Sequence, residues 1–400
     1  MRYIKPDYYE NFACTADKCP DTCCAGWQIV IDEDSYRKYM DIGGDFGRRM
    51  QESLDPWEMS FRQCNGRCAF LNENNLCDLI LEKGSEYLCE TCARYPRHVE
   101  EFDGVREYSL SLSCPVAAEL ILKQKGLWQF LEEEDEQEEP LAEEFEDFDY
   151  AMFGVLEETR SVFWKILEQQ MPLRERLLLL VDLASRFQEL VDAGECLSGY
   201  ELLEHYVNTL QDSPELLLMR AGDGLAGTYM ECLLRQEGPD FHKALEQGLE
   251  MLWHLERLRP EWTEVLAQCR VNLLPCGGEG HDFLRKEFYA SFNERELQEL
   301  ENYRENIIIF FIYTYFCGAV YDDMIFSKVA LAVFSAVFWE ETVMCRWFLA
   351  DKILEKADFV RLAYAYAREV EHSDENLIGV EEWLMDKYEP VKEENKFETD

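Results

Sequence analysis

Residues 173–194, "LRERLLLLVDLASRFQELVDAG", carry apolar side chains at intervals of three and four along their whole length and stop at a glycine. That spacing predicts a helix with one face turned to a core, and Gly194 stands where helices usually end. The same period runs through "YAMFGVLEETRSVFWKILEQQ" (150–170) and "SGYELLEHYVNTLQD" (198–212). Farther on, Gly238-Pro239 and Pro260 punctuate helical stretches. Two apolar runs, "IIIFFIYTYFCGAV" (307–320) and "KVALAVFSAVFW" (328–339), are shorter than the roughly 18–20 residues of a bilayer span and read as buried core helices. Regularly spaced strand and turn signals are absent, with room only for a short hairpin near Cys68 to Cys77. The expected fold class is mainly α, with a cysteine-rich metal-binding N-terminal region followed by a multi-helix domain.

Composition agrees. The 400 residues are 47% hydrophobic, enough for a sizeable core, and Gly (21) and Pro (12) are sparse, which favours helices packed on helices. The net charge of -43 repels nucleic-acid phosphates and anionic lipid surfaces and attracts cationic partners, besides keeping the chain soluble. No nucleic acid and no membrane span are expected. The amino terminus, "MRYIKPDYYENF", has no apolar stretch of the kind an export signal needs, so a cytoplasmic, reducing setting is expected. There, sixteen cysteines indicate metal binding or redox chemistry rather than a disulfide scaffold.

Their distribution divides the chain. Ten lie in the first 114 residues, whereas Cys196, Cys232, Cys269, Cys276, Cys317 and Cys345 scatter without ligand spacing and read as core filler. Between the two sets, "LEEEDEQEEPLAEEFEDFD" (131–149) holds 12 acidic residues and no basic one. The expected organisation is a cysteine-rich metal-binding region over 1–130, an acidic connector over 131–149 and a helical domain over 150–400.

Within the first region, "CPDTCC" (19–24) follows Cys14, and Cys64, Cys68, Cys77, Cys89, Cys92 and Cys114 complete the set. Asn74-Asn75 predicts a turn that brings Cys68 and Cys77 together. "SEYLCETCARY" predicts a short helix opened by Ser85 and ended before Pro96, with Cys89 and Cys92 on one face. Cys114 precedes Pro115, so its sulfur is expected at a helix amino terminus where the dipole favours thiolate. Zinc is usually served by paired CxxC hooks and an iron-sulfur cubane by three or four cysteines around a wider body; the spacing here matches neither template. Only Cys89 and Cys92 form a hook. The side chains of adjacent Cys23 and Cys24 are expected to diverge, serving two vertices of a cluster or two separate sites. His98 reads as a satisfied residue near the thiols rather than a ligand.

The stretch "FACTADKCPDTCCAGWQIVIDEDSYRKY" (12–39), followed by "CAFLNENNLC", "EYLCETCARYPR" and "SLSLSCPVAAEL", resembles the flagellin lysine-N-methylase (FliB) family, within the broader group that carries a CxxxCC-type zinc- or iron-chelating region. The likeness is specific over the first 125 residues and continues in "ENYRENIIIFFIYTYFCGAVYDDMIFSKVALAVFS" (301–335). It implies a [4Fe-4S] cluster and transfer of a methyl group from S-adenosylmethionine to lysine side chains of flagellin, the expected protein substrate. It also implies a ligand pool of Cys14, Cys19, Cys23, Cys24, Cys68, Cys77, Cys89, Cys92 and Cys114. Cys64 is peculiar to this chain. The CxxxCxxC signature of ordinary radical S-adenosylmethionine enzymes is absent, because Cys19, Cys23 and Cys24 give CxxxCC.

Lysine attacks only as the neutral amine, and its ordinary pKa is about 10.4. The reacting pocket should therefore be apolar or supply a base, with Trp27, Tyr95 and the aromatic helices as lining candidates. Two glycine-rich stretches, "VDAGECLSG" (191–199) and "CGGEGH" (276–281), follow helical patterns rather than strands, which argues against a doubly wound cofactor domain. Two other classes stay open. One is a zinc- or iron-binding redox-sensing or interaction module without methylase activity. The other is a helical scaffold whose cysteines serve stability alone.

Overall fold

The computed structural model describes residues 1–135, 145 and 148–390. Past residue 148 it is almost wholly helical. The three quoted stretches fold as Tyr150–Leu167, Leu173–Asp192 and Gly199–Asp212. Asp149 caps the first by accepting from Met152 N at 2.9 Å. Gly194, just past the second, takes φ +73, the left-handed conformation that glycine tolerates.

At the centre lies Ile325–Leu349, buried on every side from Ile325 to Cys345. A helix apolar around its full circumference has to be enclosed, and Glu294–Tyr315, Leu173–Asp192 and Asp374–Met385 enclose it. Its buried carboxylates are paired: His281 Nε2 lies 2.8 Å from Glu341, and Arg285 Nη1 lies 3.3 Å from Glu340. The run 307–320 is helix to Tyr315 and then a tight 3-10 turn. Among the described residues, no helix is long and apolar enough to cross a membrane.

A four-stranded sheet is the main departure from the expected architecture. Its spatial order is Arg97–Phe102, Val105–Leu110, Arg2–Pro6, Phe130–Glu134. The first two strands form a hairpin around Asp103-Gly104; Val105–Leu110 runs parallel to Arg2–Pro6, which pairs antiparallel with Phe130–Glu134. Alternation in "VREYSL" is real, but two of its buried positions are Glu107 and Ser109, so no apolar period shows. Glu107 is buried because Arg160 meets it with both guanidinium nitrogens. Two small hairpins, Leu54–Asp55 with Ser60–Phe61 and Gln63–Cys64 with Arg67–Cys68, complete the strands described.

The acidic stretch needs correction at its start. Residues 131–134 are an edge strand rather than a connector, and Glu132 lies 3.5 Å from Arg2 across the ladder. Residues 136–144, 146 and 147 lie outside the described residues.

Buried apolar side chains form two clusters. One runs from Tyr8 through the sheet and the helices from Pro115 onward to Leu384. The other is confined to Ile29, Ile31, Tyr39, Met50, Leu54, Phe61, Phe70 and Leu79 with Cys68 and Cys89. The second cluster belongs to the segment that leaves the sheet after Pro6 and returns at Arg97, so the cysteine-rich segment connects Arg2–Pro6 to Arg97–Phe102, the outer strand of the same sheet.

Two arginines of the helical part hold it. Arg368 donates to Ser113 O at 2.8 Å and Asp21 O at 3.1 Å and ion-pairs with the Asp21 carboxylate. Arg259 donates to Thr22 O at 3.0 Å and also reaches Ala25 O. A Cβ on Gly26 would fall 1.9 Å from Arg259 Nε, so only glycine admits this approach.

Candidate metal centre and adjoining cleft

The nine candidate cysteines, spread over the loop 14–24, the Cys68–Cys77 turn, the Cys89–Cys92 stretch and the start of Pro115–Leu122, are all free thiols. Backbone pairing places several: Cys68 N donates to Cys24 O at 2.9 Å, and Leu71 bridges Cys77. The expected asparagine turn is present, with Asn72 Oδ1 accepting from Asn74 N and Leu76 N and Asn75 at φ +56. Asp32 accepts from Ser35 N at 2.8 Å and Glu90 N at 2.9 Å, tying Glu33–Met40 to the short helix Glu90–Arg94 that carries Cys92.

Two expectations about this segment are corrected. "SEYLCETCARY" is not one helix: Ser85–Tyr87 is a 3-10 turn, and Cys89 is the residue before the Glu90–Arg94 helix. Cys23 and Cys24 do not wholly diverge, because each thiol acts on the titration of the other: their mutual influence pulls Cys24 down to about 7 and pushes Cys23 up. Cys89 and Cys92 are coupled in the same way, with Cys89 lowered and Cys92 raised.

Mutual electrostatic influence sorts the thiols into two neighbourhoods. Cys68 senses Cys24, Cys77 and Cys89, while Cys92 senses Cys89, Cys24 and Cys68. Cys23 senses Cys14 and Cys114, and Cys114 senses Cys19. The first set of influences runs among Cys24, Cys68, Cys77, Cys89 and Cys92, and the second among Cys14, Cys19, Cys23 and Cys114. Cys64 is exposed on its hairpin.

Cys114 caps the Pro115–Leu122 helix with proline at the first position, as expected. Its thiol is nevertheless pushed up, because burial outweighs the backbone N–H groups of Val116 and Ala117. Burial also raises Cys77, and takes Cys68 up to about 12.

Among the described residues, no three His, Cys, Asp or Glu side chains already converge at metal-ligand spacing. In donor chemistry the set still fits a thiophilic metal or cluster: it offers soft sulfur ligands, and Cys24 and Cys89 are biased towards the ligating thiolate.

Beside the thiols opens a cleft of about 750 Å³, walled by the cysteine-rich segment, the strand Arg97–Phe102 and the ends of two late helices. Trp27, Tyr95 and His372 pack together on its wall, with Trp27 and His372 stacked at 4.6 Å between ring centroids. These rings also touch the cysteine loops: Trp27 Nε1 donates to Cys23 O at 2.6 Å, and Tyr95 senses Cys114 and Cys23. Burial holds His372 neutral, down to about 3. Its Nε2 lies 2.8 Å from Ser113 Oγ, which Tyr95 Oη meets at 3.0 Å. His98, 2.7 Å from Glu100, lines the cleft. Acidic side chains dominate the rest, with Asp32, Glu90, Glu100, Glu101, Glu371 and Asp374 facing Arg94 and Arg97.

Trp27 and Tyr95 were legible as lining candidates. Tyr315 belongs to an aromatic helix offered on the same ground; Glu371, His372 and Ser111 were not legible, because they come from two remote segments and form no motif. A buried carboxylate close to a cysteine-rich loop shows only after folding.

The fold and cleft define a helical protein with an amino-terminal cysteine centre, and comparison with known proteins gives the family. Residues 160–392 match the FliB lysine N-methylase C-terminal domain, more than half of the chain. The chain belongs to the FliB lysine N-methylase family. Over 127 residues it is 29% identical to the Lysine-N-methylase of Salmonella choleraesuis and to that of Salmonella typhimurium, a match covering 30% of this chain and 32% of each relative. The same identity links it to the Flagellar biosynthetic protein FliU of Salmonella muenchen, covering 75% of that protein. The matched stretch thus spans about a third of the length of the curated lysine-N-methylases. No solved structure gives a significant match.

Proposed function

We propose that this protein transfers methyl groups from S-adenosylmethionine to lysine side chains of flagellin and depends on a [4Fe-4S] cluster held by cysteines drawn from Cys14, Cys19, Cys23, Cys24, Cys68, Cys77, Cys89, Cys92 and Cys114. One observation carries the reading: the family-matched helical part and the cysteine-rich segment share an acidic cleft of about 750 Å³, a size suited to a small cofactor. The relative named as a flagellar biosynthetic protein supports flagellin as the acceptor. S-adenosylmethionine would supply a methyl carbon activated by its sulfonium. The chain's own residues attract a lysine ammonium through the acidic wall, exclude water with Trp27, Tyr95 and His372, and take up the proton that lysine must lose. Mass spectrometry tests the reading. Flagellin from cells containing the protein should carry lysines heavier by about 14 daltons per methyl, the mass of CH₂, and purified protein with S-adenosylmethionine should add the same increment; identical lysine masses in both cases would reject it.

A second reading is a zinc- or iron-binding redox sensor, favoured by the paired thiols, since their coupling lowers Cys24 and biases it towards the nucleophilic thiolate. The spectrum of anaerobically purified protein separates the metals: a broad brown sulfide-to-iron absorption marks a cluster, and a colourless protein with bound metal marks zinc.

A further inference from the structure

Glu371 ends the Lys356–Glu371 helix and lines the cleft. Three donors fix its carboxylate. Tyr315 Oη donates to Oε1 at 2.9 Å, while Ser111 Oγ and Ser113 N donate to Oε2 at 3.0 and 3.1 Å. A carboxylate offers about four lone-pair directions, so this arrangement leaves capacity for one more N–H. The donors come from the Glu294–Tyr315 helix and from the loop before Pro115–Leu122, both anchored in the main core. The group is therefore held rigidly in a cleft whose other charges are mostly negative.

We propose that Glu371 receives the amino group of the substrate lysine and takes its proton, which makes it a catalytic residue of methyl transfer. This rests on the methylase reading above. The Nζ–H bond breaks, the proton goes to Glu371 Oε1 and the pair stays on nitrogen. That pair then forms the N–C bond to the methyl carbon of a sulfonium donor, whose C–S bond breaks with its electrons going to sulfur. The donor leaves as a neutral thioether, and Glu371 releases its proton to cleft water.

Physical chemistry supports the assignment. In water an ammonium of pKa about 10.4 would not yield its proton to an ordinary carboxylate. Where bound substrate displaces water from around the carboxylate the neutral pair is favoured over the ion pair, and burial takes Glu371 up to about 7 despite its three donors. The titratable groups that act on it are His98 from the sheet and Tyr315 and Tyr366 from the helices; Glu100 is bound to His98, and Glu381, which acts on Tyr315, is paired with Lys328 at 2.7 Å. Burial opposes a charge on His98, but its bond to Glu100 and the charges of Glu100 and Glu371 together outweigh this and raise it. The accepting form of Glu371 grows as pH rises through about 7, so the rate should climb across that range and level off above it.

The test uses the full chain with its bound metal, as wild type, Glu371→Gln and Glu371→Asp. Circular dichroism and metal content check that each variant is folded and loaded. Methyl transfer to a lysine-bearing flagellin should fall about 10²–10⁴-fold in Glu371→Gln, with the rise near pH 7 gone, and recover in part in Glu371→Asp. Binding of n-butylammonium, followed by calorimetry, should weaken at least about tenfold in Glu371→Gln, the size expected when a charged partner is lost. Equal rates and an unchanged pH profile in wild type and Glu371→Gln would overturn the proposal and leave the methylase reading standing. If wild type methylates nothing, that reading fails, and the binding measurement decides the amino-group site: dependence on Glu371 upholds it, and indifference overturns it.

Discussion

Between Ile29 and Cys89 the buried apolar side chains make a small set, and most of the surrounding chain is turns, two-residue strands and short helices. The helical part differs, with a single helix, Ile325–Leu349, burying an unbroken run from Ile325 to Cys345. A helix enclosed by other helices is stabilised by apolar area alone. A segment with so small a core needs staples, and its thiols and the arginines reaching in from the helices are those available. The contrast teaches where each half gets its order: one holds itself together, and the other is held by the arginines of its neighbour.

Four experiments break or sharpen this contrast. The largest effect is expected from Cys89→Ser with Cys92→Ser, which removes one thiol pair outright. Elemental analysis should show most bound metal lost, flagellin methylation should vanish, and limited proteolysis should cut within residues 13–96 while the helical part resists. Uniform cleavage along the chain would merge the two halves into one cooperative unit.

Next comes Arg160→Met. It leaves Glu107 buried without its partner, and urea denaturation should register a loss of about 3–5 kcal/mol. A loss below about 1 kcal/mol would show that water reaches the sheet.

Arg368→Met should cost less, about 2–3 kcal/mol, because Asp21 keeps contact with solvent and with Arg259. Hydrogen exchange should locate the loosening at residues 19–26 and 111–114. Loosening spread evenly through the helices would mean that the arginine serves the main core rather than the thiol loops.

The smallest effect is on pH. Burial raises Glu369 and Glu371 to about 7, above the usual glutamate value. A carboxyl raised in the folded state stabilises fully below its unfolded pKa, and that contribution fades as pH climbs through about 7. Urea midpoints should therefore decline between pH 5 and 8, and Glu369→Gln should flatten the slope. A midpoint that rises over this range in wild type would contradict the assignment.

How much of this was written in the sequence differs between the halves for the same reason. Helices announce themselves locally, and "LRERLLLLVDLASRFQELVDAG" folds as its period predicts. The sheet does not: its parallel partners, Arg2–Pro6 and Val105–Leu110, stand about a hundred residues apart, its buried positions include Glu107, and its edge is "FLEEE". Thiol density singled out the cysteines, and proximity of adjacent residues was misjudged only for Cys23 and Cys24. The cleft was illegible because Ser111, Tyr315 and Glu371 meet only through tertiary packing.

The arginine clamp also has a consequence in time. A ribosome adds about 5–20 residues per second, and roughly 350 residues separate Asp21 from Arg368, so the thiol loops are made about 20–70 s before the side chain that closes over them. During that interval Cys19, Cys23 and Cys24 emerge with one wall of their setting still unsynthesised. These thiols are therefore most open to whatever reaches them while the protein is still being born, and least open once the last helices arrive.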